Sequence, residues 1–116
     1  MEQEYFEKAI DWARKRGFSN IKANHEDYEA PSQFARGEEK EPFTPDITGL
    51  KTGGKSYIEI ATKTDMIHDK ISKWKLLSTL AARKGGKLFL LTPRGHKRFA
   101  EEIVKDYNLS AEIKSI

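Results

Sequence analysis

Cysteine is absent from this 116-residue sequence, which removes disulfide frameworks and thiolate metal sites and gives no sign of an oxidising compartment. No apolar run approaches the roughly 18 residues that a membrane span needs. The opening Met1-Glu2-Gln3-Glu4 has no basic region followed by an apolar stretch, so the expectation is a cytoplasmic protein with no membrane contact. Histidine is scarce and scattered: His25, His68 and His96 show no zinc-ligand spacing. The glycine pairs Gly53-Gly54 and Gly85-Gly86 lack the spacing of a phosphate-cradling nucleotide loop, which disfavours P-loop and dinucleotide folds. At this length one hydrophobic core is expected, so residues 1–116 are read as a single domain with at most one active centre.

Charge, by contrast, is plentiful and unevenly placed. The net charge is only +3, yet residues 1–46 carry 7 Lys/Arg against 11 Asp/Glu, and residues 47–116 carry 14 against 7. A basic half of this kind suits phosphate groups, although a chain with 34% charged residues also simply has a well-solvated surface.

Residues 2–16 place Phe6, Ala9, Ile10 and Ala13 on one helical stripe, with Gly17 at the stop. Asn20 to Ala23 is a short strand candidate, and the polar, acidic span 26–41 reads as a loop. Asp46–Leu50 and Ser56–Lys63 flank Lys51-Thr52-Gly53-Gly54-Lys55, a glycine-centred hairpin. Thr64 or Asp65 caps a long helix running to Lys84, with the stripe Ile67, Ile71, Trp74, Leu77 and Ala81. Trp12 and Trp74 lie on or beside apolar stripes and are read as core. Lys87–Thr92 is a continuous apolar run typical of a strand buried on both faces. A third helix from His96 to Tyr107 buries Phe99, Ile103 and Tyr107, and Ser110–Ile116 adds a terminal strand. The order αβββαβ, then an extra α and a short β, defines an α/β class with a central mixed sheet, an antiparallel hairpin and flanking helices.

A turn about the bond between Gly53 and Gly54 sets Thr48 opposite Glu59 and Asp46 opposite Ala61. Asp46 and Glu59 then become diagonal neighbours on one face, with Cα atoms on the order of 7–8 Å apart. Two carboxylates so placed can converge on one hard divalent cation, which orients and acidifies a water and neutralises charge on a phosphodiester. Ile47, Ile58 and Ile60 fall on the other face, suited to packing under a helix. Taken singly, Asp46 reads as an ordinary loop residue and Glu59 as a solvent-facing strand acid. Together, on one face, they form a candidate site.

Pro45-Asp46, the hairpin, and Tyr57-Ile58-Glu59-Ile60-Ala61 resemble the pattern of the PD-(D/E)xK nucleases, and the order of elements is similar to the restriction-endonuclease-like core over almost the whole chain. The resemblance implies Mg²⁺- or Mn²⁺-dependent cleavage of DNA or RNA, with Asp46 and Glu59 as metal ligands. Glu7, on the first helix, is the nearest match to a further family ligand. The motif lysine belongs two residues after the glutamate, where this sequence has Ala61. Relocated lysines occur in the family, and Lys63, Lys73 and Lys75 are the candidates. The alternative is a catalytically inactive nuclease-like module that binds nucleic acid or a protein partner.

Arg94, His96, Lys97 and Arg98 open the third helix, where free N–H groups and the helix dipole favour an anion, and are the candidate nucleic-acid contacts. The acidic residues in 26–41 would repel a phosphate backbone and suit a basic protein partner instead. Exposed strand edges leave room for a homodimer.

Overall fold

The computed structural model describes residues 3–35 and 42–116. Three helices and five strands follow in the order α1 (Gln3–Lys15), β1 (Ser19–Ala23), β2 (Ile47–Lys51), β3 (Gly54–Ile60), α2 (Ile67–Arg83), β4 (Gly85–Thr92), α3 (Lys97–Asp106) and β5 (Glu112–Ser115). The strands form one open mixed sheet in the order β1-β2-β3-β4-β5. β1, β2 and β3 pair antiparallel, whereas β3–β4 and β4–β5 pair parallel. α2 and α3 are the crossovers that parallel pairing requires. No helix among the described residues is long and apolar enough to cross a membrane.

Helices cover both sheet faces. α1 buries the expected stripe of Phe6, Ala9, Ile10 and Ala13 against Ile47, Ile58, Ile60, Phe89 and Leu91. On the other face Ile71, Trp74, Leu77 and Ala81 of α2, with Ala100 and Ile103 of α3, pack on Tyr57, Ala61, Leu88 and Leu90. β4 faces helices on both sides, which explains its unbroken apolar run. Tyr107 departs from expectation: it is exposed, because α3 ends at Asp106 and the chain turns at Asn108, whose φ is +51°. At the start of α2 the cap residue is Met66 rather than Thr64 or Asp65. Thr64 still contributes, since its hydroxyl accepts the Met66 N–H at 3.1 Å.

The hairpin register differs from the sequence expectation. Lys51 pairs with Gly54, Thr48 with Tyr57 and Ile47 with Ile58, so the two-residue turn is Thr52-Gly53, with φ of +48° and +80°. Both central residues of such a turn take positive φ. Gly54 is glycine for another reason: a Cβ there would collide with the Gly85 carbonyl of β4. The second glycine of the pair thus belongs to the β3–β4 contact, not to the turn. Extending the observed register by one residue sets Asp46 opposite Glu59, in place of the diagonal arrangement, and Thr48 no longer faces Glu59.

Candidate functional site

Asp46 immediately precedes β2 and Glu59 is the penultimate residue of β3, so both lie where β3 ends and the chain passes to α2. Alternation along β3 points Tyr57, Glu59 and Ala61 to the α2 face. That face is not open to water. Glu59 is fully buried and Asp46 retains 7% exposure.

Burying two carboxylates requires partners for their oxygens. The Asp46 N–H donates to Glu59 Oε2 at 2.6 Å, and the Ile60 N–H donates to Asp46 Oδ2 at 2.9 Å. The other two oxygens face Lys73 of α2, whose Nζ lies 2.8 Å from Glu59 Oε1 and 3.8 Å from Asp46 Oδ1. Lys73 sits one residue before the buried Trp74, about 100° round the helix, at the flank of the apolar stripe. Its side chain is 13% exposed. At 2.8 Å the ammonium is the charged partner of the buried Glu59 Oε1.

Charge balance in the cluster is incomplete, with one ammonium for two carboxylates. Burial, and then the neighbouring Asp46 carboxylate, push Glu59 from 4.5 up to about 7, with the Lys73 ammonium acting against them. Burial acts to lower Lys73, but Glu59 and Asp46 outweigh it and hold the ammonium above its ordinary 10.5. The cluster therefore holds its lysine charged and makes Glu59 a much weaker acid than a free glutamate.

Of the three lysine candidates, only Lys73 is brought to the carboxylates. β3 ends at Ile60, so Lys63 stands in the exposed connection to α2, where its N–H donates to His96 Nδ1 at 2.9 Å. Lys75 is exposed, with its ammonium 5.7 Å from the Tyr107 ring centre. Two residues along a helix is about 200° of rotation, which carries Lys75 away from the sheet. Glu7 is also exposed, and its Oε1 accepts a hydrogen bond from Gln3 at 3.2 Å.

Asp46 borders a groove of about 410 Å³ lined also by Gln3, Phe6, Asn24, His25 and Glu26. The His25 and Phe6 rings lie 5.6 Å apart. Nothing in the sequence marks this groove, because the β1–β2 connection and the first turn of α1 meet only in the fold. Arg94, Lys97 and Arg98 are exposed and His96 half-buried at the start of α3, near the carboxyl end of β4. His96 touches Tyr5 edge-on at 6.4 Å, and Arg98 pairs with Glu102 at 3.3 Å. Of the acidic segment, Glu26, Asp27 and Glu29 are exposed. Glu38, Glu39 and Glu41 lie outside the described residues.

Asp46 and Glu59 are the residues that could hold a hard divalent cation, at the place where the Lys73 ammonium stands. Asp46 Oδ1 and Glu59 Oε1 are the two oxygens that do not accept a backbone N–H in the clasp, and both face the Lys73 ammonium. No group of three or more His, Cys, Asp or Glu gathers among the described residues. Two carboxylates suit Mg²⁺ or Mn²⁺ better than Ca²⁺, because Mg²⁺ usually takes one or two protein carboxylates and fills its shell with water and phosphate oxygens.

Comparison of the chain with models of protein families, with curated proteins and with solved structures found no match in any of the three.

Proposed function

We propose that this chain is a nuclease with a restriction-endonuclease-like core that hydrolyses phosphodiesters of DNA or RNA at Asp46, Glu59 and Lys73. The observation that carries this reading is the position of Lys73. An ammonium from α2 meets both carboxylates, which supplies the lysine of the acid-acid-lysine set from a different element than the strand position occupied by Ala61.

Asp46 and Glu59 would hold Mg²⁺ or Mn²⁺, the ion displacing the Lys73 ammonium from the carboxylates. When bound, the ion supplies positive charge to the phosphodiester and acidifies an attacking water. Lys73 stands where its ammonium can donate to a phosphate oxygen as charge builds there. Asp46 also borders the groove beside Asn24 and His25, which leaves that residue the more accessible of the two acids. Arg94, Lys97 and Arg98, exposed beyond β4, provide cations for the flanking backbone.

The test is divalent-dependent cleavage of single- and double-stranded DNA and RNA. Asp46→Asn, Glu59→Gln and Lys73→Met are each expected to lower cleavage by at least a hundredfold. Cleavage unchanged in both carboxylate variants rejects the reading.

One observation favours a second reading, a module that binds nucleic acid without cutting it. Glu59 is completely buried, and the ammonium already takes the place beside its free oxygen. This reading expects salt-sensitive binding without hydrolysis, weakened by Arg94→Ala and Lys97→Ala. Binding that ignores salt would point to a protein partner instead.

A further inference from the structure

Nearer the hairpin end, on the sheet face that carries Glu59, the first three strands build a pocket of opposite chemistry. The register sets Lys22 opposite Thr48 and Leu50 opposite Lys55, and opposed residues project to the same side. Asn20, Lys22, Thr48, Gly49, Leu50 and Lys55 line a cavity of about 60 Å³. At roughly 10–15 Å³ for each water-sized oxygen, that space admits a few oxygens. It matches a tetrahedral oxyanion and is too small for a nucleobase.

The lining offers two ammonium groups, a hydroxyl and an amide, and contains no acid. Lys84, at the end of α2, accepts the Lys55 N–H on its carbonyl at 3.1 Å and carries its ammonium 5.8 Å from the Phe34 ring centre. Burial, and then the charges of Lys84 and Lys22, push the Lys55 ammonium below its ordinary 10.5. The nearby carboxylate of Glu29 is exposed and 3.8 Å from Lys22, a loose and solvent-screened partner. Lys55 Nζ lies 5.5 Å over the Tyr57 ring, which holds it at the sheet. Like charges crowded round a half-buried lysine raise the energy of the fold, and an anion between them would lower it.

We propose that Lys22 and Lys55, with Thr48 and Asn20, form a binding site for one phosphate group. Lys55 and Glu59 stand four positions apart on β3, roughly 13 Å at about 3.3 Å per residue. The site is thus distinct from the carboxylate pair and does not depend on its chemistry. The phosphate belongs either to a free or terminal phosphomonoester or to a nucleic-acid backbone.

The test follows backbone amide resonances of the full chain during three titrations at matched ionic strength. The titrants are inorganic phosphate, a 5′-phosphorylated oligonucleotide and the same oligonucleotide with a 5′-hydroxyl. Saturable shifts are expected at Asn20, Thr48, Gly49 and Lys55. A Lys22→Ala/Lys55→Ala double variant should weaken binding at least tenfold, whereas Lys105→Ala, on the exposed face of α3, should not. Equal shifts from both oligonucleotides assign the site to backbone phosphodiesters, and shifts from inorganic phosphate or the 5′-phosphorylated strand alone assign it to phosphomonoesters. Absence of saturable shifts from all three titrants overturns the proposal, as does unchanged affinity in the double variant. Neither result bears on cleavage at Asp46 and Glu59.

Discussion

Asp46 and Glu59 hold each other's strands. The Asp46 N–H donates to the Glu59 side chain, and the Asp46 side chain accepts from the Ile60 N–H. These two bonds continue the β2–β3 ladder one step beyond its last backbone pair, Ile47 with Ile58. The carboxylates are therefore structural members of the hairpin as well as candidate ligands, and variants at these positions must be judged on stability and activity together.

Glu59→Ala should be the costlier truncation. It leaves the Asp46 N–H without its acceptor, leaves the Lys73 ammonium only the Asp46 carboxylate 3.8 Å away and opens a cavity, a combination worth about 3–5 kcal/mol. Asp46→Asn keeps an oxygen for the Ile60 N–H and should cost about 1–2 kcal/mol. Urea unfolding of both variants checks the order, and a loss below about 1 kcal/mol for Glu59→Ala contradicts the clasp.

Lys73→Met should show a pH-dependent cost. Without the ammonium, ionised Glu59 is buried beside Asp46 alone, whereas protonated Glu59 is tolerated. The destabilisation should be small at pH 5 and grow to about 2–4 kcal/mol at pH 8. Denaturant unfolding at the two pH values measures it, and equal costs at both would show that Lys73 does not sense Glu59.

The unaltered protein should lose stability as pH rises from about 4.5 to about 7. In that window the folded state keeps a proton on Glu59 that the unfolded chain has released, because the folded pKa is raised to about 7. Stability therefore falls with pH and levels off above 7, by on the order of 1–3 kcal/mol. The raised Lys73 pKa adds a second loss, which begins only above 10.5. Glu59→Gln should flatten the lower window, as read from thermal unfolding at several pH values.

Placing a lysine at position 61 should fail. Ala61 is fully buried within the α2-side core, so Ala61→Lys forces a long cation into filled space and sets it near Lys73. A loss of at least about 3 kcal/mol is expected, with no gain in cleavage. Calorimetric melting together with the cleavage assay tests both parts.

Much of the architecture was legible because periodicity reports burial directly. The α1 stripe, the α2 stripe and the apolar run of β4 were each visible as patterns. The hairpin register was not, since a glycine pair does not say which glycine turns the chain and which lets a neighbouring strand approach. The face shared by Asp46 and Glu59 survived that error for a geometric reason: a shift of two residues in pairing preserves alternation. Lys73 could be narrowed only to one of three lysines, because choosing it needs the end of β3 and the rotation of α2. The groove at Asn24 and His25 had no signal at all, being made by contacts distant in sequence.

Among the described residues, every hydrogen-bond and ion-pair partner of the two carboxylates lies between Asp46 and Lys73, in one hairpin and the helix that follows it. Among the described residues β4, β5 and α3 give the cluster no ion pair or side-chain hydrogen bond, although Leu90 of β4 pairs with Glu59 in the sheet. The ion cluster is thus contiguous in sequence, carried by one hairpin and one helix, while β4 beside it supplies pairing and packing.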